Sequence, residues 1–329
     1  MNDRAVNLLE QYDVEVLKTR KGRGAILCET SRGCLIFKEY AGNEEKLATI
    51  DMLLTHLQQT DRVQAECILP TKEGSLYVKD YDGVKYILKT YAEGRECNIN
   101  DRAECLEAVR LLAKLHSCME FDRTTEDGLS PLSLGKEYEK RNRELKKVRK
   151  YLKQRSQKSW FEIQLQQHFD AFLEQALEIS TQWENYEQLR QTQEGENHKL
   201  TYCHGDYQYH NLLKTNQGWF IINFEKCVQD DPVRDLYLFM RKLLEKSNWS
   251  VALGRDLMEV YEAQRPLSAI SRIDLYYRLA YPEKFWKVAN FYYNSGKAWI
   301  PGRNLEKLEK LVEQEPAKQH LLDELFRNV

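Results

Sequence analysis

The sequence predicts an α+β protein with a small antiparallel β-rich lobe over residues 1–93 and a larger helical lobe over residues 94–329. Three observations predict it. Short strand-type runs broken by glycine turns crowd the N-terminal part of the chain. Long runs with apolar residues at helical spacing take over from about residue 103. Between the two regimes lies Tyr91-Ala92-Glu93-Gly94, which reads as a hinge.

In the first lobe, residues 14–19, 25–29 and 34–39 are strand candidates. Lys21-Gly22-Arg23-Gly24 supplies the first turn and Ser31-Arg32-Gly33 the second. Residues 44–58 place Leu47, Ile50, Leu54 and Leu57 on one helical face. Residues 75–79 and 84–90 complete the sheet, with Asp82-Gly83 as the turn between them. In the second lobe, residues 103–119 form a helix with Leu106, Val109, Leu112, Ala113 and His116 on one side. Residues 122–135 are irregular. Long helices are expected over 136–156 and 161–190, then a polar loop over 192–198. Further helices are expected over 235–246, 252–265, 271–293 and 305–325. No internal repeat or low-complexity tract occurs.

Hydrophobic residues make up 42% of the chain, which supports a sizeable core, and the formal net charge of −2 argues against a general nucleic-acid binder. No apolar run approaches the roughly 18 residues needed to span a membrane. The first thirty residues carry Asp3, Glu10, Asp13 and Glu15 and no apolar signal core, so an intracellular start is expected. The eight cysteines show no C-x-x-C pair and no zinc spacing, and are expected to be ordinary reduced thiols.

The most informative stretch runs from Thr201 to Asp235. His204-Gly205-Asp206 is followed by Asn211, then by the apolar run Trp219-Phe220-Ile221-Ile222, then by Asn223-Phe224-Glu225. This order suits phosphoryl transfer: a base for a hydroxyl, an amide ligand for Mg2+, and a second metal ligand on a following strand. Asp206 is the candidate catalytic base, which would orient the hydroxyl of an acceptor. Asn211 offers an amide oxygen to a hard cation. The second metal ligand should be an aspartate, and here it is Asn223. Glu225, two residues on, would reach the same face of an extended strand and would have to serve as the strand's only carboxylate. His204 reads as a brace for its loop rather than as a reacting group.

A β-rich lobe, a hinge, a helical lobe and His-Gly-Asp followed by Asn resemble the protein-kinase-like fold of aminoglycoside and choline phosphotransferases. The separated segments Lys18–Tyr40, Tyr91–Cys97, Asp230–Lys246 and Tyr281–Ile300 resemble the CotS-like family of bacterial spore coat proteins. The resemblance spans nearly the whole chain. It implies a bilobal kinase-like fold, with residues 1–93 on the nucleotide side and 94–329 carrying the catalytic loop. It further implies association with other spore coat proteins, and cytoplasmic synthesis followed by residence in the coat. Lys38 resembles the nucleotide-phosphate lysine, with Glu45 or Asp51 as its carboxylate partner. Gly22 and Gly24 fall where a phosphate-covering loop belongs, and Tyr91 and Glu93 where a hinge meets the nucleotide base. Asp235 resembles an aspartate that receives backbone amides from the His204–Asp206 loop. The implied cofactors are ATP and Mg2+.

Two other features carry a functional and a plainer reading. Residues 136–158 hold eleven Lys/Arg against three Glu. They read as a solvated helix flank, or as a docking surface for an anionic partner. Tyr281, Phe285, Trp286, Phe291, Tyr292, Tyr293 and Trp299 read as core, or as a box for a quaternary amine. The leading expectation is a coat protein with a kinase-like fold, an assembly role and residual nucleotide binding. The second is an active ATP-dependent phosphotransferase acting on a small-molecule hydroxyl. A protein kinase is disfavoured, because only a short run separates Glu225 from Asp231 and leaves no activation segment.

Overall fold

The computed structural model describes residues 3–22, 24–120, 129, 133–192, 201–295 and 302–327. The segments expected to be irregular at 122–135 and looped at 192–198 lie largely outside the described residues, as do Arg23 and Trp299. Contacts group the chain into two compact units. The first comprises Met1–Ser130, Leu200–Phe239 and Leu257–Pro266, and the second Pro131–Lys199, Met240–Asp256 and Leu267–Val329.

The first unit opens with a 3-10 helix, Asp3–Gln11, that the sequence reading did not anticipate. Then come β1 (Val16–Gly22), β2 (Ala25–Thr30), β3 (Gly33–Glu39), α1 (Glu44–Thr60), β4 (Gln64–Ala65), β5 (Ile68–Leu69), β6 (Val78–Lys79), β7 (Lys85–Thr90) and β8 (Arg95–Glu96). The main sheet runs β1-β2-β3-β7-β5, antiparallel throughout, with β6 also paired to β7. Alternation sorts its side chains. Ile26, Cys28, Leu35, Phe37, Tyr86 and Leu88 point to one face and pack with Leu9, Tyr12 and Val78. Asn43 caps α1 by accepting from the Lys46 amide at 2.8 Å.

The strand expected over 75–79 shrinks to Val78–Lys79. Thr71 Oγ1 accepts from the Ser75 amide at 3.0 Å, and Ser75 Oγ donates to the Tyr77 carbonyl at 2.8 Å. These local bonds turn the backbone before it can join a ladder.

The unit continues with α2 (Arg102–Cys118), capped by Asp101. The second unit follows with α3 (Leu134–Gln154) and α4 (Trp160–Thr192). The chain then forms β9 (Thr201–Cys203), β10 (Leu212–Thr215), β11 (Gly218–Ile221) and β12 (Val228–Asp230). These build a sheet in the order β4-β11-β10-β8 and a pair β12-β9. The last helices are α5 (Val233–Lys246), α6 (Val251–Glu262), α7 (Ala269–Ala280), α8 (Glu283–Asn294) and α9 (Gly302–Leu325).

The single helix expected over 271–293 is two, α7 and α8. Pro282 has no amide to donate and drives its predecessor toward extended backbone, and Tyr281 adopts ψ 135°. Within the second unit Tyr281, Phe285 and Tyr292 pack as core, Trp286 and Tyr293 are half-buried, and Phe291 is exposed. Tyr281 stacks on Tyr138 at 4.3 Å, and Phe285 on Phe172 at 4.5 Å. Arg141 lies over the Trp286 ring at 4.9 Å. Tyr138, Leu145, Val148 and Leu152 form the dry face of α3, while its lysines at 136, 140, 146, 147, 150 and 153 face outward. Among the described residues no helix is long and apolar enough to cross a membrane.

Candidate functional site

The site is built within the first unit, starting from the sheet face opposite its apolar core. Register pairs Lys38 of β3 with Ile87 and with Ala25, and Lys89 of β7 with Ile36. Lys38 and Lys89 therefore emerge on the same face from neighbouring strands. The Ala25 pairing also sets the β1–β2 turn at the Lys38 end of the sheet. There Gly22 pairs with Ala25, and Gly24 takes φ +71°.

Lys89 is almost wholly buried, at 1% exposure. Its ammonium donates to both Glu66 carboxylate oxygens at 2.8 Å and to Glu225 Oε1 at 2.6 Å. Glu66 is equally buried and also accepts from the Phe224 amide at 3.0 Å. Lys38 Nζ lies 3.0 Å from Glu225 Oε1 and donates to Asn223 Oδ1 at 3.1 Å. The partner of Lys38 is thus Glu225, not Glu45 or Asp51. Burial alone would push Glu225 up, but the ammoniums of Lys89 and Lys38 outweigh it and bring it down to about 2. Burial alone would push Lys89 down, and Glu66 and Glu225 outweigh that, leaving it above its ordinary value.

The shared strand face expected for Asn223 and Glu225 does not form. β11 ends at Ile221, Asn223 turns into the left-handed region at φ 69°, ψ 56°, and Phe224–Lys226 is a 3-10 turn. Asparagine tolerates that conformation better than most residues. The turn sends the Asn223 amide and the Glu225 carboxylate toward Lys38 by a route that strand periodicity does not describe.

From Asn223 a hydrogen-bond relay continues. Asn223 Nδ2 donates to Asn211 Oδ1 at 2.8 Å, and Asn211 Nδ2 donates to the Asp206 carbonyl at 2.8 Å. Asn211 is buried, just before β10.

Asp206 itself sits in a loop fixed from several sides. The His204 amide donates to Asp235 Oδ2 at 2.6 Å, and the Gly205 amide to Asp235 Oδ1 at 2.8 Å. The sequence reading placed Asp235 in that role. It did not foresee that the wholly buried His116 would hold Asp235 in turn, with Nε2 3.2 Å from Asp235 Oδ2 and Nδ1 2.7 Å from the Tyr261 hydroxyl. His204 Nδ1 accepts from the Asp206 amide at 3.1 Å, so its Nε2 carries the proton and donates to the Ile222 carbonyl at 2.9 Å. The imidazole thus ties the Asp206 loop to the end of β11. Gly205 makes this approach feasible: it takes φ +76°, and a Cβ there would lie 1.9 Å from the Lys226 carbonyl oxygen.

The Asp206 carboxylate is ion-paired to Lys226 Nζ at 2.9 Å and accepts from the Gln208 amide. Burial pushes Asp206 up, and the bond and charge of Lys226 more than reverse it, so the group lies below its ordinary value and is ionised at neutral pH. In the segment expected to be a hinge, the Tyr91 amide donates to the Cys34 carbonyl at 3.0 Å. Glu93 pairs at long range with Arg20, at 3.9 Å.

A buried ion cluster, the Lys38 ammonium and a His-Gly-Asp loop braced by a buried aspartate now stand together in one unit. The sequence matches the family described as "Spore coat putative kinase YutH" over residues 5–325. The chain belongs to that family. A comparison with curated proteins finds no significant match. Among solved structures, the chain is similar to an aminoglycoside phosphotransferase from Alicyclobacillus acidocaldarius subsp. acidocaldarius DSM 446, with TM-score 0.81 and 19% identity over 97% of this chain and 94% of that one. It is also similar to a microcompartment-associated aminopropanol kinase, with TM-score 0.64 and 14% identity over 98% and 97% of the chains. A third is the choline kinase LicA from Streptococcus pneumoniae, with TM-score 0.52 and 16% identity over 95% and 96%. At these identities the likeness establishes the fold: the protein-kinase-like fold of small-molecule phosphotransferases.

Sequence reasoning missed Glu66, Lys89, Lys226 and His116. Lys89 did leave a signal. It shares the inward face of an apolar strand with Ile87, and a lysine there needs a buried carboxylate. Nothing local marks Glu66 as that carboxylate, since β4 and β7 meet the site from different sheets.

Proposed function

We propose that this member of the spore coat kinase family binds adenine nucleotide, transfers phosphate weakly or not at all, and serves the spore coat mainly through assembly with other coat proteins. One observation carries the reading. Lys38 donates to the neutral amide of Asn223, and the Glu225 carboxylate it also meets is already shared with the buried ammonium of Lys89. The cation that would steady nucleotide phosphates is present, and position 223 lacks the negative charge that would hold a metal there. Solved structures of similar fold support the nucleotide part, including spectinomycin phosphotransferase APH(9)-Ia in complex with ADP and spectinomycin. The family description supports residence in the coat. Within this reading the hinge at residues 91–94 divides the nucleotide lobe, 1–93, from the remainder, 94–329. Gly22 and Gly24 cover the phosphates, and Tyr91 and Glu93 flank the base.

The test is thermal unfolding with and without millimolar ATP. A ligand that binds only the native state must raise Tm. The reading predicts a rise for wild type and a smaller one for Lys38→Ala. No rise, together with no heat of binding at millimolar ATP, overturns it.

The state of Asp206 favours a second reading, an ATP-dependent phosphotransferase with an alcohol acceptor. Its carboxylate is ionised and sits in the His-Gly-Asp loop, as a base acting on a hydroxyl requires. Turnover separates the two readings.

A further inference from the structure

The relay from Lys38 to Asp206 has a polarity fixed at both ends. The Lys38 ammonium only donates, so the amide oxygen of Asn223 must face it. The Asp206 carbonyl only accepts, so the amide nitrogen of Asn211 must face that. The remaining halves of the two amides then meet as donor and acceptor, Asn223 Nδ2 to Asn211 Oδ1 at 2.8 Å. An aspartate at 223 would set oxygen against oxygen across that gap, an arrangement that needs a cation to hold it. Here an N–H bond of the protein does the holding.

The other oxygens near the gap are also engaged. The Glu225 carboxylate is neutralised by Lys38 and Lys89, and that of Asp206 by Lys226. Mg2+ demands near-octahedral oxygen ligands and binds chiefly through carboxylates and substrate phosphates. Two amide oxygens already accepting hydrogen bonds, beside a carboxylate paired to two ammoniums, do not fit it.

We propose that this site binds adenine nucleotide without a divalent cation, with the Asn223–Asn211 hydrogen bond standing where a bridging metal would otherwise sit. The inference rests on the nucleotide-binding reading above. Lys38 uses two of its three N–H bonds on Glu225 and Asn223, which leaves the third for a phosphate oxygen. The assignment makes position 223 the element that decides metal dependence. Because aspartate tolerates the left-handed backbone much as asparagine does, Asn223→Asp changes the charge without straining the turn.

The experiment is calorimetric titration of the full chain with ATP, and separately with ADP, in EDTA and in excess Mg2+. Wild type should bind with affinities that differ by less than about threefold between the two conditions. Asn223→Asp, shown folded by its thermal melt, should bind at least about tenfold more weakly in EDTA than in Mg2+. Wild-type binding that strengthens tenfold or more with Mg2+ overturns this inference and leaves the nucleotide reading standing. Metal-independent binding by Asn223→Asp overturns the role given to the Asn223 amide. No binding in either condition overturns both the inference and the reading beneath it.

Discussion

Lys89 is the residue on which the site's electrostatics turn. Its ammonium is shared by two carboxylates and is shut away from water. Removing one partner of such a cluster leaves a buried charge uncompensated, which typically costs about 3–5 kcal/mol. Urea denaturation of Lys89→Met should show a loss of that order. The double variant Lys89→Met/Glu66→Leu should recover part of it, because neither charge is then stranded. A double variant no better than the single one would mean that the Glu66 bond to the Phe224 amide matters more than the ion pair. Glu225 adds a pH dependence. Its folded value lies at about 2 against an ordinary 4.5, so its ionic contribution is complete above about pH 4.5 and is lost as pH falls through 2. Glu225→Gln should therefore flatten the fall of Tm on the acid side relative to wild type. Parallel acid-side slopes would contradict this. At this scale the sequence was half legible. Asp206, Asn211, Asn223 and Glu225 were named as candidates from their order along the chain, and Lys38 from the family resemblance. Glu66 and Lys226 were not, since their partners are chosen by turns and sheet contacts that no local pattern encodes.

At the scale of elements, the sequence carried the strands and helices well where periodicity ran unbroken. The three-strand meander β1–β3 and helices α1 and α2 form within a few residues of expectation. The reading failed where one residue overrules a period. Pro282 splits a helix, and the positive φ of Asn223 ends a strand. The second failure touches the site, because it decides how Glu225 arrives there. Gly205 is a third single-residue device, and this one is testable. Gly205→Ala would put a methyl carbon 1.9 Å from a backbone oxygen and force an alanine to hold φ +76°. The neighbouring atom is main chain and cannot swing away. The variant should lose more than about 2 kcal/mol of stability and should weaken ATP binding, since the Asp206 loop must move. Stability within about 0.5 kcal/mol of wild type, read from urea melts, would show that the loop has room the geometry denies.

At the scale of the molecule, fold and family were legible because they rest on many separated segments rather than on one. A β-rich opening, the His204–Asp206 loop, the Asp235 brace and the aromatic α7–α8 region agree with one another, and such consistency marks a fold more firmly than any single motif. Activity was not legible in the same way, since on the reading proposed above it turns on one amide in place of one carboxylate. The central claim is that this substitution leaves a kinase fold which holds nucleotide without turning it over. The most direct measurement is the rate at which wild-type protein consumes ATP at saturating ATP and Mg2+, in the presence of pooled alcohol acceptors and coat extract. The account predicts a rate orders of magnitude below the roughly 1–100 per second of ordinary kinases. A rate within that range, abolished by Asp206→Asn while ATP binding persists, would contradict it.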